Sequence, residues 1–170
     1  NWVVGFMLFV LAMAAGFTGY SLPDDLLSGN GLRIIDGMIK GIPFIGTGVS
    51  SLLFGGEFPG HVVIARLYAL HIMVIPALIL VFLALHLFML IIHKHTHYSG
   101  PGKSDTNIVG YPLMPVYVAK AGGFFFIVFG VIMVVSTFFT INPLWNYGGY
   151  DPSPVSAGTQ PDWYIGWLDG

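Results

Sequence analysis

Three long apolar stretches set the pattern of the chain. Trp2 to Leu22, Leu67 to Ile92 and Ala121 to Ile141 run 21, 26 and 21 residues without a formal charge. About 20 apolar residues make a helix that crosses a bilayer. The expected fold class is all-α and integral to the membrane, with three spanning helices. Asp24 to Gly60, a 37-residue connection, is too rich in glycine and proline to span again. Within it, SGNG at 28–31 reads as a turn. Leu32, Ile35, Met38, Ile39 and Ile42 recur at helical spacing, with Arg33, Asp36 and Lys40 set away from them. Ile45 to Phe54 is a second short apolar segment. Both read as amphipathic or re-entrant surface helices at one membrane face. GGEFPG at 55–60 turns the chain into the second span, where Pro76 is expected to introduce a kink.

Composition sharpens this picture. Only 8 % of the 170 residues are charged, against about 25 % in soluble domains. No cysteine is present, so disulfides, thiolate metal sites and covalent c-type haem attachment are excluded within this chain. Residues 93–120 carry Lys94, Lys103 and Lys120 against Asp105, whereas 24–66 carry Arg33, Lys40 and Arg66 against four acids. The positive-inside bias puts 93–120 in the cytoplasm and 24–66 outside. Residues 142–170 hold three acids and no base, which fits the outer face. A span begins directly after Asn1, with no initiator Met or basic leader, so the chain reads as an internal piece of a longer polypeptide.

The second span contains His71 and His86. An ionisable side chain inside a membrane is costly and is a functional hypothesis by default. On an ideal helix their spacing leaves the rings about 60° apart around the axis and about 22 Å apart along it. Two imidazoles on broadly one face, one towards each side of the apolar slab, suit the axial ligation of two stacked haems. Interhelical hydrogen bonding is the other reading. No other span contains a histidine, so the second ligand of each six-coordinate iron has to come from elsewhere. Gly5 and Gly19 fall on one face of the first span, where glycine lets a flat body or another backbone come close. Small-residue helix packing would use the same pattern. Arg66, a little over one turn before His71, is placed to pair with a haem propionate or to anchor the helix end in the interface.

Two polar clusters remain. His93, Lys94, His95 and His97 form a solvated cytoplasmic edge or a proton route to a quinone. PDWY at 161–164 places Asp162 between Pro161 and two aromatics. A partly buried carboxylate there can accept a proton from a hydroxyl; a loop-ordering cluster is the alternative.

Four motifs occur in an order that resembles cytochrome b of the quinol:cytochrome c reductases, closest to the actinobacterial menaquinol-oxidising branch. GFTGYSLP (16–23) resembles the outer end of the family's third helix. RLYALH (66–71) with Pro76 resembles the start of the fourth, and MPVYVAK (114–120) the start of the fifth. PDWY resembles the PEWY motif of the following loop. The resemblance covers essentially the whole chain. It implies that residues 1–97 are part of the N-terminal di-haem four-helix bundle and 98–120 a cytoplasmic connection. Residues 121–141 would be the next span and 142–170 an outer-face quinol-site loop.

The resemblance also implies roles. His71 and His86 would be axial ligands of the low- and high-potential b haems, with Gly5 and Gly19 making room for them. Asp162, with Pro161 and Tyr164, would take a proton from menaquinol at the outer site, walled by the Gly29–Gly31 turn and the surface helices. Lys120 would edge the inner quinone site, with Lys94 nearby. The implied reaction is bifurcated quinol oxidation, one electron passing to an iron–sulfur protein and the other through the two haems to quinone. Proton translocation would follow. Implied partners are a Rieske subunit, a c-type cytochrome subunit and the remainder of cytochrome b. They would form a dimeric complex, with a supercomplex with a terminal oxidase as an option, in the bacterial cytoplasmic membrane and without nucleic acid.

Three departures qualify it. Ala121 replaces an acid at the inner site, leaving Asp105 or His93 to His97 as proton donors. The acid of PDWY is one methylene shorter, and Asp24 replaces a tryptophan. The residues alone also admit a di-haem dehydrogenase anchor without bifurcation, or a non-redox transporter subunit.

Overall fold

A computed structural model describes residues 1–94, 100–104, 106, 107, 110–140, 143 and 146–154. Among these residues the ordered elements are helices, and no strand is formed. The chain divides into two compact units. One comprises Asn1–Ile92 with Leu144–Gly170, of which 146–154 is described; the other is His93–Pro143.

The first unit begins with α1, Trp2–Tyr20. The connection that follows folds into two surface helices, α2 over Leu26–Lys40 and α3 over Gly46–Phe54. The second span starts with α4, Val63–Ala69, widens into a π turn at Leu70–Val74, and continues as α5, Ile75–His93. The π turn is the form taken by the expected proline kink. Pro76 has no N–H and its ring crowds the preceding turn. The Ile75 amide, just before it, reaches back five residues to the Leu70 carbonyl, and the wider turn accommodates the ring without ending the helix. His71 sits in this turn.

One expectation is overturned. SGNG at 28–31 is not a turn but lies inside α2. A reciprocal capping box starts that helix earlier than the apolar repeat suggested. The Ser28 amide donates to Asp25 Oδ1 at 2.8 Å, and the Asp25 amide donates to Ser28 Oγ at 3.0 Å. A second expectation also changes. Asp36 does not face solvent; it is 6 % exposed. It accepts a hydrogen bond from Ser50 Oγ of α3 at 2.5 Å and an ion pair from Lys40 at 2.7 Å. The polar stripe of α2 thus holds α3, because a buried carboxylate keeps its charge only when partnered.

The core of this unit lies where the helices meet at one end. Leu32 of α2, Phe54 of α3, and Val63 and Leu67 of α4 are buried together, with Phe17, Leu22 and Phe58 packed around them. Elsewhere α1 and α5 present large apolar side chains outward, as a bilayer or neighbouring spans require.

In the second unit, a wide turn at Leu113–Tyr117, with Met114 extended, leads into α6, Val118–Phe138. The helix starts three residues before the expected Ala121, taking in Lys120, and ends three residues before the expected Ile141. Among the described residues, three helices are long and apolar enough to cross a membrane: Trp2–Tyr20, Val63–His93 and Leu113–Phe138.

Candidate functional site

The two intramembrane histidines each meet a glycine of α1. A Cβ built on Gly19 would come within 2.6 Å of His71 Cε1, and one on Gly5 within 3.3 Å of His86 Cε1. The nearly equal spacing of the two pairs, 14 residues on α1 and 15 on the second span, is what brings both into register. Only glycine leaves room for the His71 ring, since 2.6 Å is far inside van der Waals contact.

The surroundings of the two rings differ. Thr18, buried beside Gly19, places its Oγ1 3.1 Å from His71 Nδ1. The same hydroxyl lies 2.8 Å from the Ala14 carbonyl and 3.1 Å from that of Ala15. His86 Nδ1 is buried with no hydrogen-bond partner among the described residues. Its ring borders a largely apolar cavity of about 350 Å³ lined by Asn1, Trp2, Gly5 and Phe6. A largely apolar cavity beside the ring leaves room for a planar prosthetic group. No group of three or more His, Cys, Asp or Glu side chains forms a metal cluster among the described residues. One imidazole per site is what a haem iron takes from a single helix.

Arg66 meets the end of α3. Its guanidinium donates to the Leu52 and Leu53 carbonyls, the last turn of α3. A cation there satisfies orphan carbonyls and complements the helix dipole. Lys94 follows α5 directly with a left-handed φ of 62°. In the second unit the Lys120 ammonium sits 4.0 Å above the Tyr111 ring, a cation–π contact. Pro161, Asp162 and Tyr164 lie outside the described residues, as do His95, His97 and Asp105.

A second cavity, also about 350 Å³, opens at the packed end of the first unit. Asp24, Gly29, Leu32, Phe58, His61 and Tyr150 are among the residues lining it. The late segment enters here. Leu26 donates its amide to the Gly148 carbonyl at 3.2 Å, and Tyr150 donates its amide to that of Asp24 at 3.1 Å. The Tyr150 ring lies directly against Gly29, where a Cβ would overlap it. It also meets Phe58 edge-on at 5.9 Å, and Phe58 meets Phe54 likewise at 5.3 Å. The Tyr150 hydroxyl is buried, with the Arg33 guanidinium as its polar neighbour. Desolvation raises its pKa; the nearby Arg33 guanidinium, which itself reaches towards the Pro152 carbonyl, pulls the other way. Asp151 is held low by the Ser153 amide, which donates to its Oδ1 at 2.9 Å.

Sequence reasoning missed Thr18, Tyr150 and the Asp36–Ser50 link. Thr18 had a signal, a hydroxyl beside a face-aligned glycine in an uncharged span. Tyr150 had none, because its partner Gly29 is 121 positions away.

The comparisons agree on one assignment. Residues 1–149 match the family described as cytochrome b(N-terminal)/b6/petB. The cytochrome bc1 complex cytochrome b subunit of Streptomyces coelicolor is 58 % identical over the whole chain, which covers 31 % of that protein. The corresponding subunit of Mycobacterium leprae is 52 % identical and that of Corynebacterium efficiens 46 %, again over the whole chain and 31 % of each relative. The chain thus spans about a third of the length of these relatives. A solved chain from a hyperthermophilic respiratory Complex III superposes with a TM-score of 0.74 at 20 % identity, covering 96 % of this chain and 45 % of that one. That likeness is one of fold.

Proposed function

The chain belongs to the N-terminal cytochrome b family, and we propose that it is the haem-ligating and outer-site segment of a di-haem cytochrome b that oxidises menaquinol. Electrons would be delivered to quinone at the opposite face, coupled to proton translocation. The observation that carries the reading is the pair of glycine–histidine contacts, Gly19 with His71 and Gly5 with His86. Two such contacts, offset along one helix pair, are what two haems stacked across a membrane need from this side.

When bound, the haems supply one-electron transfer; the chain supplies everything around it. His71 and His86 would each give one ring nitrogen to an iron. Gly19 and Gly5 keep that side of each ring free of side chains. The apolar surfaces of α1 and α5 keep water out. The cavity between Gly29, Phe58 and Tyr150 offers aromatic walls of a size for a quinol ring. Asp162, with Pro161 and Tyr164, would accept the proton of the quinol hydroxyl as a general base. On the inner side, Asp105 or His93 to His97 would deliver protons to the reduced quinone in place of the acid that Ala121 replaces. Lys120 and Lys94 would edge that site.

The names of the relatives, all subunits of a bc1 complex, support the same assembly here. Its partners would be a Rieske iron–sulfur subunit, a c-type cytochrome subunit and the remainder of cytochrome b. A dimer in a bacterial cytoplasmic membrane is the expected setting, associated with a terminal oxidase.

The test is quinol oxidation by the assembled complex carrying Asp162→Asn. Turnover should fall about 100-fold, the scale of a general base, with both b-type absorption bands retained. Unchanged turnover would remove Asp162 from the reaction.

A further inference from the structure

Thr18 and His71 form a hydrogen bond whose direction is set by the rest of the structure. The threonine hydroxyl has one proton and two lone pairs. Its two other contacts, the carbonyls of Ala14 and Ala15 at 2.8 and 3.1 Å, are acceptors only. The hydroxyl proton is therefore engaged inside α1, and the lone pairs remain for His71 Nδ1 at 3.1 Å. Nδ1 must then carry the imidazole proton. In a neutral ring this leaves the lone pair on Nε2, the tautomer of a histidine ready to bind a metal through that atom. His86 has no counterpart, since its Nδ1 is buried without a partner among the described residues.

We propose that Thr18 is a positioning residue for His71, accepting its Nδ1 proton so that Nε2 faces the haem iron as a stronger donor. The inference rests on the reading of His71 as a haem ligand. A hydrogen bond at Nδ1 increases the basicity of the ligating nitrogen and favours ferric over ferrous iron. The two haem sites of this chain are thereby made unequal, the one at His71 being held more resistant to reduction than it would be without Thr18. Gly19, the next residue, contributes clearance and Thr18 contributes orientation, so one turn of α1 does both.

The experiment is a redox titration and electron paramagnetic resonance of the full-length protein in its membrane complex, comparing Thr18→Val, Thr18→Ala and Thr18→Ser. Valine keeps the volume and removes the acceptor; alanine supplies the same reading if valine hinders assembly. In both, the ferrous-to-ferric ratio of the His71 haem at a fixed potential should rise about fivefold, as the loss of one neutral hydrogen bond allows. Its low-spin signal should broaden as the ring loses its fixed orientation. The His86 haem should not move, and serine should restore both properties. Retention of the wild-type potential and signal by Val and Ala would overturn the proposal. So would an equal shift of both haems, or failure of serine to rescue. Failure of the underlying reading has its own signature: His71→Ala would then retain both b-type bands.

Discussion

Gly19 stands so close to His71 that any side chain at that position would collide with the imidazole, a Cβ coming within 2.6 Å of Cε1. At the other pair the clearance is larger, 3.3 Å between a Cβ on Gly5 and His86 Cε1. The difference predicts unequal tolerance. Gly5→Ala needs the ring to give by a few tenths of an ångström, and should leave both b-type bands near wild-type intensity. Gly19→Ala should displace His71 and lower the occupancy of its haem, as read in the reduced-minus-oxidised spectrum. Equal loss from both variants would contradict the geometry.

Asp36 ties α2 to α3 through Ser50. Asp36→Ala should lower the stability of the assembled complex by about 1–3 kcal/mol, the cost of losing a buried charged hydrogen-bond partner. Ser50→Ala should cost less, because Lys40 still neutralises the carboxylate. Thermal inactivation midpoints of the two variants check the order.

Arg66 separates two roles by measurement. As a cap on α3, its replacement in Arg66→Gln should speed amide hydrogen exchange across residues 46–55 and leave the haem potentials in place. A shifted potential with unchanged exchange would favour the propionate role expected from its distance to His71.

Tyr150 gives a pH dependence. Desolvation raises its folded-state pKa above the ordinary tyrosine value, with Arg33 opposing. Its contribution to stability is therefore complete below about pH 10, the unfolded value, and is lost as pH rises through the higher folded value. Tyr150→Phe should remove that alkaline loss and cost little near neutrality, because the hydroxyl's one polar neighbour is the Arg33 guanidinium, which also reaches the Pro152 carbonyl. Tyr150→Ala should be damaging at every pH, since it empties the space between Gly29 and Phe58. Thermal midpoints across pH 8 to about 11, covering the tyrosine range, distinguish these outcomes.

Much of this arrangement was legible in the sequence because its causes are periodic. Gly5 and Gly19 fall on one face of the first span, and His71 and His86 on broadly one face of the second; that these two faces meet is what the structure adds. The surface helices followed from the Leu32–Ile42 repeat for the same reason. What escaped notice depends on contacts between distant residues or on local chemistry that overrides composition. SGNG carries turn residues, yet Asp25 and Ser28 cap each other and α2 runs through it. Asp36 looked like a solvent-facing position until α3 supplied Ser50. The π turn at His71 arises from Pro76, whose presence announced a distortion without specifying its form.

The central claim is that His71 and His86 each ligate a separate b haem. Reduced-minus-oxidised spectra of the complex carrying His71→Ala or His86→Ala test it most directly. Each variant should lose one low-spin b-type band and keep the other, with the two losses at different potentials. Both bands surviving in both variants would contradict the account.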